Sequence, residues 1–173
     1  MATQKVLTSY EAAGVLDFDV DNAALDALAV GAVAWCKPET HASPCHPQIE
    51  IFFSIKTCTT AQTAAGFVEF YVLRGDDHAS EIRTAAYLGT LSDHGVCTTA
   101  ALVAQLRASV PTDHVFGTTV TADIVYTGRF IIDDPGPDWQ LAIYNGMDHT
   151  FNATANQSAV HWRTVTPDIG AAA

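Results

Sequence analysis

Positive charge is scarce in this chain. Eight Lys and Arg stand against nineteen Asp and Glu over 173 residues, a net charge of −11. Binding a nucleic-acid backbone needs clustered cations, so no direct nucleic-acid contact is expected. Long apolar runs are missing too. None approaches the roughly 20 residues of a membrane-spanning helix, so no membrane contact is expected either. The start, "MATQKVLTSYEAAGVLDF", has no basic end followed by an apolar core, which points to folding in a cytoplasm. Cysteines stay reduced there by default, and only four are present. The nucleophile elbow, the Walker loop, the dinucleotide-binding glycine pattern and the paired-histidine zinc signature are all absent. The sequence therefore singles out no catalytic residue, no cofactor and no metal, and it points away from an enzyme. Charged residues make up 16% of the chain and hydrophobic ones 49%, a balance that favours sheets over solvent-facing helices.

What is present is period-two alternation. In "QIEIFFSIKT", Ile49, Ile51, Phe53 and Ile55 share one side, while Glu50, Phe52, Ser54 and Lys56 share the other. Successive side chains of a strand face opposite ways, so this reads as a strand with one core face. "GFVEFYVLRG" sets Val68, Phe70 and Val72 against Glu69, Tyr71 and Leu73; both faces are apolar enough for a central or covered strand. Further strand candidates are "KVLTSY", "GAVAWC", "TAAYLGTL", "ADIVY", "GRFIID", "WQLAIYN" and "AVHWRTV", each bounded by turn-forming residues. The expectation is a single all-β domain over residues 1–173, an antiparallel sandwich of about nine strands with one or two short helices. Residues 1–10 would be an arm or edge strand, and 168–173 a tail of small residues. The helix candidates are "DNAALDALAVG", which ends at Gly31, and "TTAALVAQLRASV", with Leu102, Leu106 and Val110 on one stripe or else a strand.

The densest cluster of reactive side chains is "WCKPETHASPCHPQIE", which holds Cys36, His41, Cys45 and His46. Structural zinc sites favour short paired spacings, and adjacent extended residues such as Cys45 and His46 diverge. A Cys36–Cys45 disulfide is geometrically easier, since it would close the base of a loop between two antiparallel strands; it would need a later oxidising exposure. Free thiols remain the default. Asp-His occurs at Asp77-His78, Asp93-His94, Asp113-His114 and Asp148-His149. These sit at turns, where Asp is favoured for its backbone hydrogen bonds. "DFDVDN", residues 17–22, lacks the glycine and glutamate that would complete a calcium loop. Asp133, Asp134 and Asp138 flank a proline-stiffened turn. Trp35, Trp139 and Trp162 lie within strand patterns and are expected in the core; left exposed, they would form platforms for sugar rings.

Taken in order, several segments resemble a known group. They are "DNAALDALAVGAVAW", "IEIFFSIKTCTTAQTAAGFVEFYVLRGDD", "AAYLGTL", "GRFIIDDPGPDWQLAIYNGMDHTFNAT" and "SAVHWRTVT". The pattern is similar to that of small jelly-roll-like virion proteins of tailed bacteriophages and covers most of residues 20–166. It lapses between about Leu91 and Ala122, where this chain is longer. The resemblance implies a jelly-roll-like β-sandwich and a non-enzymatic structural role in the virion, after assembly in the host cytoplasm. The role would be that of a capsid decoration or cement protein, or a head–tail accessory protein. Its partners would be the major capsid protein or other virion proteins, within a homo-oligomer, trimer or dimer. The alternative is a tail or head-fibre accessory protein that binds a host glycan or receptor. No catalytic residue is implied.

Overall fold

A computed structural model describes residues 6–10, 14–16, 18, 24–40, 48–74, 94–136, 138–155 and 157–169. Along the chain the strands are β1 (Val6–Tyr10), β2 (Gly14–Val15), β3 (Val33–Trp35), β4 (Glu39–Thr40), β5 (Gln48–Lys56) and β6 (Phe67–Arg74). There follow β7 (Gly95–Cys97), helix α1 (Ala100–Ser109), β8 (His114–Gly117), β9 (Val125–Asp133), β10 (Asp138–Asn145) and β11 (Ala159–Ile169).

Two of the strand lanes are broken. β1 and the two-residue β2 lie one after the other along the same side of β11, and β3 and β4 do the same along β10. With each broken strand taken as one lane, one sheet runs β1/β2–β11–β5–β9 and the other β3/β4–β10–β6–β8, every pair antiparallel. Numbered along the chain, the lanes run first–eighth–third–sixth and second–seventh–fourth–fifth. That is the strand order of a jelly roll. The antiparallel sandwich is thus as the sequence implies, but eight strands build it rather than nine. β7 is an addition that pairs with the free side of β3.

The alternation in β5 explains the core. Ile49, Ile51, Phe53 and Ile55 all face the other sheet, where Val68, Phe70 and Val72 of β6 and Leu141 and Ile143 of β10 meet them. Tyr71 and Leu73 of β6 belong to a second cluster on the far face of the same sheet, together with Val33, Trp35, Ala142 and the helix residues Val103 and Leu106. α1 therefore covers that face, which is why both sides of β6 are apolar. The helix fills the "TTAALVAQLRASV" window. Its buried stripe runs through Val103 and Leu106, with Leu102 and Val110 half-buried beside it.

Other expectations change. Among the described residues, "DNAALDALAVG" forms turns rather than a helix. Ala27 takes a left-handed φ of 57°, which interrupts any helical run, although Leu25 and Leu28 are still buried in the main core. "ADIVY" and "GRFIID" merge into the single strand β9, and β7 and β8 are strands the sequence did not suggest. "TAAYLGTL" lies outside the described residues. The stretch where the resemblance lapses carries β7, α1 and β8. Among the described residues no helix is long and apolar enough to cross a membrane.

Candidate functional site

The cysteine-rich stretch is the crossing from one sheet to the other. Trp35 ends β3, and Cys36 is buried in the main core. There its Sγ accepts the Leu141 backbone N–H at 3.2 Å, while its carbonyl accepts Gln140 Nε2 at 3.0 Å. Glu39 and Thr40 continue the lane as β4, and β5 begins at Gln48. Cys45, the candidate disulfide partner of Cys36, lies outside the described residues, as do His41 and His46. Cys58 and Cys97 carry free thiols. Among the described residues no three His, Cys, Asp or Glu side chains are grouped as metal ligands. The acidic run 17–22 lies outside the described residues apart from Phe18, which is buried in the core. Asp133 accepts Gln48 Nε2 at 2.7 Å. Asp134, at φ 47°, leads a turn in which its carbonyl accepts Arg74 Nε at 3.1 Å.

Two of the Asp-His pairs can be placed. His149 Nδ1 lies 2.8 Å from Asp148 Oδ1, so these neighbours do meet, because they occupy a bend rather than a strand. The other Asp148 oxygen accepts the Thr63 hydroxyl and the backbone N–H groups of Thr63 and Ala64, the latter at 3.0 Å. The Thr63 hydroxyl bond, and then the one to His149, hold this carboxyl well below the usual carboxylate range. Asp148 thus ties the loop after β10 to the loop before β6. Asp113, in the bend before β8, and His114, the first residue of β8, turn to different partners. Asp113 accepts the Val72 backbone N–H at 2.7 Å and pairs with Arg74 at 3.4 Å. His114 turns inward and stacks on Phe130 with ring centroids 4.6 Å apart. Phe53 and Phe70 close around it, and burial pushes the imidazole below its ordinary pKa. This aromatic group fills the seam where β8 and β9 face each other from different sheets. Asp77, His78 and Asp93 lie outside the described residues.

A further clamp docks the helix. Arg107 of α1 reaches Glu69 of β6 through Nε at 2.8 Å and Nη2 at 3.0 Å, and its guanidinium lies 4.4 Å from the Tyr144 ring centroid. The Tyr71 hydroxyl donates to the same carboxylate. Burial, and then that bond to Glu69, raises the pKa of the tyrosine.

The most distinctive surface is the outer face of the sheet that carries β5. The register sets Glu50 opposite Arg163 of β11 on one side and Ile131 of β9 on the other. Glu50 is only 4% exposed. Its carboxylate accepts Arg163 Nε at 2.8 Å, a second bond from Arg163 Nη2, and Arg129 Nη1 at 3.3 Å. The Arg163 guanidinium also lies 4.7 Å from the Phe52 ring centroid. Beside this cluster is an open hollow of about 330 Å³ lined by Glu50, Arg129, Phe130, Ile131 and Val165. Three hydrogen bonds from two guanidiniums hold the buried carboxylate in place. What the cluster presents outward is a cationic and apolar contact surface. The sequence placed Glu50 on the polar face of β5 but carried no sign of its burial. Only the register brings Arg163, 113 positions away, against it.

Two of the tryptophans lie in the core as expected, whereas Trp162 of β11 is only half-buried. Trp35 and Trp139 are buried, and Trp162 packs edge-on against Trp139 at 5.4 Å. Burial keeps Trp35 and Trp139 from stacking on a sugar ring. The chain matches no protein-family model, and no curated protein matches it.

Proposed function

We propose that this is a non-enzymatic structural protein of a virus particle, a capsid decoration or cement protein that binds the head of a tailed bacteriophage and stabilises it. The observation that carries the reading is a jelly roll in which, among the described residues, four carboxylates serve as internal clamps. Asp148 joins two loops, Asp113 secures β6, Glu69 docks α1 and Glu50 ties β11 to β9. Such clamps stiffen the body, and the outer face of the sheet that carries β5 offers a surface for contact, which suits load-bearing on a shell. A jelly roll alone does not specify a role, since the fold serves capsids, lectins and enzymes alike. The resemblance of residues 20–166 to phage virion proteins supplies the choice among them. The partners would be the major capsid protein or another virion protein, with the protein itself a homo-oligomer on the particle. The glycan-binding alternative on a tail or head fibre is weakened by the burial of Trp35 and Trp139.

Cryo-EM of particles purified by density gradient and washed in high salt tests the proposal. The expected result is density for this sandwich at regularly repeated positions on the head. Particles that lose the protein completely in the wash would overturn it.

A further inference from the structure

The four sheet edges are not alike. Among the described residues, β7 has three residues, β8 has four, and the β1/β2 lane is broken into five and two. Short or interrupted strands are how proteins keep sheet edges from pairing with other chains. β9 has none of this protection. It runs nine residues in unbroken register against β5, with no proline, no lysine and no bulge, and among the described residues no strand pairs with its other side. Gly128 does not blunt it, because that residue only makes room for Phe53, whose ring lies 2.5 Å from where a Cβ would be. Two of the five outward residues of β9 are exposed and apolar, Ile131 at 55% and Val125 at 49%, and they alternate with Thr127, Arg129 and Asp133.

We infer that β9 is a self-association edge that pairs antiparallel with β9 of a second copy of this chain, about a two-fold axis through Ile131. An isologous contact must be self-complementary, and the residues around Ile131 are. Centring the ladder there sets Ile131 against its own copy and Arg129 against Asp133 of the other copy, twice over. Phe130 then lies opposite Ile132. The ladder ends where the chain leaves the strand, at Asp134 with its left-handed φ of 47° and Pro135, which has no N–H to donate. Moving the axis to Arg129 would instead oppose two guanidiniums, which disfavours that register. The join makes one continuous sheet from two sandwiches and covers the exposed Ile131. This pairing does not depend on whether the protein binds a particle.

Sedimentation equilibrium on the full chain is the test, with circular dichroism to check that each variant is folded. The wild-type protein is expected at the mass of two chains at high micromolar concentration. Asp133→Arg makes the ladder all positive, and Arg129→Asp makes it all negative. Each alone should weaken self-association by roughly ten-fold or more. Mixed one to one, the two variants should restore a two-chain species, since each then meets its complement. Hydrogen exchange on the wild type gives a readout that needs no substitution: backbone amides within 129–133 should gain protection as concentration rises. A monomeric wild-type protein, an oligomer indifferent to both substitutions, or no concentration-dependent protection at 129–133 would each overturn the pairing.

Discussion

Glu50 is held by two arginines that contribute unequally. Arg163 makes two bonds to it and is itself 26% exposed, whereas Arg129 makes one bond at 3.3 Å and is 71% exposed. An exposed ion pair contributes little after solvent screening and side-chain entropy, but a buried carboxylate stripped of its main partner is costly. Arg163→Ala is therefore expected to destabilise the protein by about 3 kcal/mol, and Arg129→Ala by about 1 kcal/mol or less, in urea denaturation. Equal losses would show that the two contacts are equivalent. His114 makes a second prediction at this scale. Its folded pKa is depressed by burial, so between that value and the ordinary imidazole pKa of about 6.5 the unfolded chain binds the extra proton. Stability should be full above that range and fall as pH drops through it. His114→Phe should flatten this part of the stability–pH curve. Asp148 acts in a lower window: its depressed pKa stabilises the folded state at neutral pH, and that contribution is lost as pH falls below the usual carboxylate range. A curve unchanged by His114→Phe between pH 5 and 7 would exclude the imidazole as its cause.

Among the elements, the alternating strands were the most legible. The core face of β5 and the double-faced character of β6 can be read directly from the order of their side chains, because a strand's period is two residues and both runs hold it. α1 was legible as a helix or a strand, and the apolar face of β6 it covers explains which. β7 and β8 were not legible, because three or four residues are too few to show a period. β1 shows what pairing adds. Its five residues are in register with Val165–Ile169 of β11, so the N-terminal segment completes the protein's own sheet. Deletion of residues 1–10 removes that edge and leaves the end of β11 unpaired. The truncated chain should melt several degrees lower, at roughly 2–4 °C for each kcal/mol lost. An unchanged melting temperature would mean that β1 contributes nothing to the fold.

At the scale of the whole molecule, the jelly roll joins the first strand to the last, so much of its stability comes from contacts distant along the chain. Closing such loops is slow, because their entropy is lost before the pairing is gained. Refolding from denaturant is therefore expected to take about milliseconds to seconds or longer, read by stopped-flow fluorescence of the three tryptophans. Sub-millisecond refolding would contradict a fold assembled through these distant pairings. The sequence by itself determined the class of the fold, the alternation that buries Ile49, Ile51, Phe53 and Ile55, and a net charge of −11. These are properties of local order and composition. The tertiary structure alone decided that Arg163 meets Glu50, that His114 sits in an aromatic seam, and that β9 ends its sheet among the described strands. Each depends on which distant strands become neighbours and in what register, and side-chain alternation within one strand carries no information about that.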